Sequence, residues 1–198
     1  MSDEMDTDLW GESRLVSLLK KREEEAFSVL IRRYQEKIFG IAYGITLDRE
    51  ESLDIVQDVF LKVFEKIHTF REESRLSTWI YRITVNLCLN WKRRWKRRFR
   101  WHHEPIEEER TDRKAEVIGD GQYPDTLYEK KELEQILWQG LKELPESARA
   151  VFVLREIEGL SYDEIAEALK IGKGTVSSRL FYARKRLKEC VRAHVGES

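Results

Sequence analysis

Apolar residues recur at helical spacing through most of the chain, and runs of alternating β-branched residues are missing. Glu12 to Lys21 reads as a short helix. Glu24 to Thr46 reads as a longer one, with Phe27, Leu30, Ile31, Tyr34, Ile38, Ile41 and Ile45 as its inner stripe. Arg49 to Lys66 makes a third. A fourth runs from Leu76 or Ser77 to about Arg98, with Ile80, Ile83, Leu87 and Trp91 on one side. From Trp101 through Gly119-Asp120-Gly121 to Pro124 the periodicity stops and charges take over, so a mobile linker is expected there. The pattern predicts an all-α chain: two small helical domains, residues 1–99 and 126–198, joined by a flexible linker over 100–125. Roughly 25 linker residues at ~3.3 Å each span ~80 Å when extended. That exceeds two turns of B-DNA at about 34 Å each, so one chain can touch two sites on a duplex.

The C-terminal domain carries the clearest local pattern. Ser161 with Glu164 three residues on is a capping box, which starts a helix at Tyr162 with Ile165, Ala166 and Leu169 as its apolar stripe. Lys170-Ile171-Gly172-Lys173-Gly174 breaks the pattern, and Thr175 can cap the next helix. On that helix Val176, Leu180, Ala183 and Leu187 share one face. Ser177, Ser178, Phe181, Arg184, Lys185 and Lys188 lie on the other. A solvated helix would carry those cations equally well. An outward Phe among serines and cations is harder to explain that way. It suits a major groove, where hydroxyls and Arg read base edges, an apolar side chain meets a thymine methyl, and cations hold phosphates. Cap, turn and the two faces together indicate a DNA-binding helix-turn-helix.

A second ridge lies on the fourth helix, where Arg82, Asn86, Asn90, Arg93 and Arg97 fall in one narrow sector. Asn pairs with adenine and hydrogen-bonds unpaired bases. Either Asn alone is explained as a surface residue; aligned with Arg82 and Arg93, they favour a DNA-facing ridge. The preceding segment, Phe70 to Trp79, is a polar loop flanked by aromatic rings. It suits a base flipped from the stack, or an ordinary turn whose two rings belong to the core.

Composition narrows the class. The 198 residues are 41% apolar and 37% charged with only 3 Pro, as expected for a helix-rich soluble protein. No apolar stretch is long enough to span a membrane, and the acidic start, Met1 to Asp6, is unlike a signal peptide. Cys88 and Cys190 lie far apart in predicted helices and read as reduced, core or half-buried thiols. The four histidines have no ligand spacing with them, and neither a phosphate loop nor a carboxylate cluster appears; an enzyme, a metal site and a cofactor are all disfavoured. Net charge is only −1, but it is segregated: Ser74 to His103 holds no Asp or Glu and nine Lys or Arg, whereas Glu104 to Glu134 is mostly acidic. A field this weak does not hold DNA unaided, which points to a partner.

Taken in order, several segments resemble the extracytoplasmic-function group of bacterial sigma factors. Ala26-Phe27, Arg33-Tyr34 and Asp54-Ile55-Val56-Gln57-Asp58-Val59-Phe60 resemble the start of the family's second domain. Ser77-Thr78-Trp79-Ile80-Tyr81-Arg82-Ile83-Thr84-Val85-Asn86 resembles its helix for the −10 promoter element. Leu144-Pro145-Glu146, Gly159-Leu160-Ser161-Tyr162 and Gly174-Thr175-Val176 resemble its fourth domain.

The resemblance implies that Asp54, Gln57, Asp58 and Phe60 dock on the β′ clamp helices of core RNA polymerase, with the β flap as a further contact. It implies −10 contacts from Arg71, Ser74, Ser77, Arg82, Asn86, Asn90 and Arg93. For the −35 element it implies Thr175, Ser177, Ser178, Arg179, Phe181, Arg184 and Lys185. It implies a separate anti-sigma factor as regulator and a place in the bacterial cytoplasm.

Two departures stand out. Lys170 occupies a position where the family commonly has Gly, so the turn is either shifted toward Gly172 or strained. Ser177 stands where a basic residue is common. The competing reading is a free-standing helix-turn-helix regulator with an N-terminal dimerisation domain, which would bind a symmetric operator without polymerase.

Overall fold

The computed structural model describes residues 10–100 and 136–195, with side chains over 10–90 and 136–193. The N-terminal segment holds α1 (Glu12–Lys20), α2 (Glu24–Thr46), α3 (Arg49–Lys66) and α4 (Leu76–Arg100), with a 3-10 turn at Ile67–Thr69 after α3. The C-terminal segment holds α5 over residues 136–143, then α6 (Glu146–Phe152), α7 (Tyr162–Leu169) and α8 (Lys173–Val195). No strand occurs among the described residues. The expected linker, with His102 and His103, lies outside them.

Helix ends follow local chemistry. Asp48 caps α3 by accepting from the Glu51 amide at 2.9 Å. Leu47 ends α2 in the left-handed region at φ 60°. Ser161 and Glu164 form the expected capping box on α7, each side chain accepting the other's backbone N–H. Lys170 adopts the left-handed conformation itself, at φ 53° and ψ 48°, so the turn is not shifted to Gly172. Thr175 does not cap α8. The helix begins at Lys173, and the amides of Thr175 and Val176 both donate to the Gly172 carbonyl, which places Thr175 inside the first turn.

Two predicted stripes are rotated. On α2, Ile31 is exposed, while Ala26, Val29, Leu30, Ile38, Ile41, Ala42 and Ile45 are buried. On α4, Ile83 and Leu87 are only half-buried, and the sealed positions are Ile80, Tyr81, Thr84, Val85 and Cys88. On α7, Ala168 rather than Ala166 is the fully buried small residue. One cause serves for α2 and α4: each packs against the C-terminal segment as well as its own neighbours, α2 against α6 and the π-helical turn Val153–Ile157, and α4 against α7. A stripe read for one partner is turned by a second.

The two segments share a continuous core, which joins Ile38, Ile41, Ile45 and Ile80 to Val151, Val153, Leu154 and Ile165. Gly44 lets the π-helical turn approach, since a Cβ there would lie 2.7 Å from Cγ2 of Val153. Rings meet across the same seam, Tyr43 against Trp138 with centroids 4.7 Å apart.

Arg149, 4% exposed, closes it. Its guanidinium donates to the Ile45 carbonyl at 2.8 Å, in the last turn of α2, and to the Leu144 carbonyl at 2.9 Å after α5. Burial holds its pKa below the ordinary Arg value, though a guanidinium stays charged. Its charge suits the negative end of α2. Arg149→Met, which keeps the bulk and removes the donors, is expected to cost about 2 kcal/mol in urea unfolding because two buried carbonyls lose their partners.

Candidate nucleic-acid and polymerase interface

The loop before α4 is held in place from α1. Glu12 accepts from the Leu76 amide at 2.8 Å and so caps α4 from 64 residues away, while Lys20 pairs with Glu72 at 2.9 Å. Glu72 takes a left-handed φ of 59°. Phe70 is buried, with Trp79 against it at 5.3 Å between centroids, so these two rings belong to the core. Arg71 is exposed and Ser74 half-buried.

Further along α4, Asn86 and Asn90 are exposed on one side, one helical turn apart, and Arg82 is half-buried a turn before them. The side chains of Trp91, Arg93 and Arg97 lie outside the described residues. Cys88 is buried between these faces; burial pushes its thiol up to about 12, so it stays protonated and unreactive. Cys190 is half-buried and outside any disulfide, its thiol donating to the Ile136 carbonyl at 3.7 Å.

Ser77 faces the C-terminal segment. A cleft of about 430 Å³ opens at the seam, lined by Arg33, Lys37, Arg75, Ser77 and Tyr81 on one side and by Glu158 and Glu164 on the other. Arg75 and Glu164 approach to 3.9 Å across it. Hydrogen bonds from the Ser161 backbone and hydroxyl hold the Glu164 carboxyl below its ordinary pKa, so it is firmly anionic. Burial raises Glu158, with Lys37 opposing. Glu158 and Glu164 therefore sit beside the start of α4 in this arrangement.

On α8 the predicted inner face is met in full: Val176, Leu180, Ala183 and Leu187 are buried. Thr175, Ser177, Ser178, Phe181, Arg184 and Lys185 are exposed, and Arg179 is half-buried at the shoulder. Phe181 is 72% exposed. Arg184 does not point freely into solvent; its Nε and Nη2 both donate to Oε1 of Glu156, at 3.0 and 2.6 Å. That bond also raises the Arg184 pKa. Lys173 is paired with Asp163 at the turn.

The outward side of α3 is apolar as well as acidic. Asp54, Gln57 and Asp58 are exposed and Phe60 is half-buried, but Leu53, Leu61 and Phe64 are exposed with them. Leu53, Gln57, Leu61 and Phe64 fall at i, i+4, i+8 and i+11, one continuous stripe that periodicity alone could have revealed. Phe27 leans on Phe64 with centroids 4.9 Å apart, and the Arg22 guanidinium lies 4.5 Å over the same ring. An apolar stripe rimmed by charge marks an interaction surface.

Among the described residues no cluster of His, Cys, Asp or Glu could hold a metal ion, and no helix is long and apolar enough to cross a membrane.

Comparison with known proteins places both halves. Sigma-70 region 2 matches residues 30–98, and Sigma-70, region 4 matches residues 134–187. The chain is 36% identical over 177 residues to the ECF RNA polymerase sigma-E factor of Haemophilus influenzae, covering 86% of this chain and 90% of that one. It is 31% identical over 193 residues to the RNA polymerase sigma-H factor of Pseudomonas aeruginosa, covering 94% and 97%. The fold is similar to that of CnrH solved with the cytosolic domain of CnrY, at a TM-score of 0.66 and 20% identity over 92% of this chain and 97% of that one. It is also similar to the sigma factor RpoE solved with the anti-sigma factor NepR from Bartonella quintana, at 0.64 and 23% over 84% and 96%. With both regions present in order and such identity along nearly the whole length, the chain belongs to the sigma-70 family, in its extracytoplasmic-function group.

Proposed function

We propose that the chain is a promoter-specificity subunit: it brings core RNA polymerase to selected promoters and helps to open them, and it catalyses no covalent step itself. The observation that carries this is the pairing, in one chain, of two separate outward polar ridges, Asn86 with Asn90 on α4 and Ser177 to Lys185 on α8, with an apolar stripe on α3 facing elsewhere. The stripe of Leu53, Gln57, Leu61 and Phe64, flanked by Asp54, Asp58 and Phe60, is the docking face for the β′ clamp helices. The loop with Arg71 and Ser74 and the ridge of Arg82, Asn86, Asn90 and Arg93 take the −10 strand. The outer face of α8 takes the −35 duplex. Polymerase supplies the affinity that a net charge of −1 does not.

This role places the protein in the bacterial cytoplasm. It also makes an anti-sigma protein the natural regulator, the kind of partner with which the similar Bartonella quintana fold was solved. The test is transcription by purified core polymerase with and without the chain. Within that assay, Asn86→Ala is expected to lower the permanganate reactivity of unpaired thymines about tenfold, the order of one good base contact. Gel-shift affinity for closed duplex should stay unchanged. Equal losses in both readouts would move Asn86 out of the melted-strand site.

A further inference from the structure

The outer face of α8 offers rings and hydroxyls where base edges would lie, while its central guanidinium is engaged elsewhere. Arg184, the arginine that sequence pattern sends into the groove, is bound twice to Glu156 of the π-helical turn. Arg179 is half-buried at the shoulder of the helix. Lys185 lies on the outer face, with Glu189 4.0 Å away along the helix. What remains directed outward in the first turns is Thr175, Ser177, Ser178, Phe181 and Tyr182. The Ser178 hydroxyl already donates to the Thr175 carbonyl at 3.1 Å. Tyr182 is 43% exposed and follows Phe181 directly, so the two rings flank Ser178 and Lys185 on the side opposite Val176, Leu180 and Ala183.

Base chemistry then decides what such a face can recognise. Guanine is read by a bidentate Arg or Lys on O6 and N7, adenine by Asn or Gln, and thymine by apolar contact with its C5-methyl group. Serine hydroxyls accept either donor or acceptor edges and discriminate little. The face has no Asn or Gln. Lys185, the cation on this face, lies beside Glu189, and the two rings of the face suit the methyl best.

We propose that this chain reads its upstream promoter element chiefly through thymine methyl groups, contacted by Phe181 and Tyr182, and not through an arginine on guanine. Glu156 acts as the positioning residue that keeps Arg184 at the phosphate side. The proposal rests on the sigma-factor reading of α8 and deepens it by naming the bases. Upstream elements selected by this chain are accordingly rich in A·T pairs at the two positions facing these rings.

The experiment uses the full chain with core polymerase on promoter fragments chosen by run-off transcription. Each thymidine of the upstream element is replaced in turn by deoxyuridine, which removes the methyl and leaves pairing intact. Each guanine is replaced by 7-deazaguanine, which removes the N7 acceptor. Wild-type holoenzyme is expected to bind deoxyuridine fragments about fourfold more weakly at one or two positions, the effect of one buried methyl each. It should be indifferent to 7-deazaguanine. Phe181→Ala and Tyr182→Ala should each abolish the thymine-over-uracil preference at one position and leave the other, whereas Tyr182→Phe should retain it. Both rings are exposed, so melting temperatures should not move.

Equal binding to thymine and uracil at every position, or a large loss with 7-deazaguanine, would overturn the methyl reading while the sigma reading stood. Start sites that do not depend on the chain at all would remove both.

Discussion

A chain carrying Gly44→Cys and Val153→Cys should lose most run-off transcription when oxidised and regain it on addition of dithiothreitol. A Cβ at Gly44 lies 3.6 Å from the Cβ of Val153, inside the range a disulfide spans. The bond would lock α2 to the π-helical turn and hold the seam shut. In that state Thr78 and Tyr81 are buried, Ser77 faces the cleft, and Glu158 and Glu164 present carboxylates to any approaching phosphate. Under the proposed function, the −10 strand would not reach the start of α4 there, and α4 and α8 would be confined to one body. If promoter engagement requires the seam to part, a lock that lowers the open fraction lowers apparent activity in proportion, and a fall to below about a tenth is expected. Oxidised wild-type chain, with Cys88 buried and Cys190 half-buried, is the control. Full activity in the locked chain would mean that the seam does not need to part.

Replacing Leu61 and Phe64 together by Glu should weaken binding to core polymerase about a hundredfold or more, as expected when central apolar contacts of an interface are lost and carboxylates are left in their place. Leu61 is 60% exposed, so the loss should come without a comparable fall in folding stability. Fluorescence titration of labelled chain against core polymerase measures the first quantity and thermal unfolding the second. Phe64 also carries the contacts of Phe27 and Arg22, so the single variant Leu61→Glu separates docking from local packing. Undiminished polymerase affinity in both variants would move the docking face off α3.

The elements most readable in the sequence were those decided by local chemistry. Helix α2 has the predicted bounds because one apolar stripe runs between a cluster of Glu and a left-handed Leu47, and α7 starts where the capping box requires. The inner face of α8 was legible for the same reason: it packs on one side only. Long-range contacts were not legible. Nothing near Leu76 announces that Glu12 caps it, and nothing near Arg184 announces Glu156, 28 residues earlier. The exposed Ile31 and the half-buried Ile83 and Leu87 were misplaced because the pattern was read within each half, while the C-terminal half covers α2 and α4 from a second direction. Thr175 illustrates a smaller error of the same kind. It is a good capping residue by type, yet α8 gains its first turn from the Gly172 carbonyl, three residues before the expected cap.

Run-off transcription with purified bacterial core polymerase, this chain and fragments of its own genome tests the central claim most directly. Discrete start sites that appear only when the chain is added, preceded by two common sequence elements, are the predicted result. No added initiation, together with tight binding of the chain alone to a symmetric duplex site, would contradict it and leave a free-standing regulator.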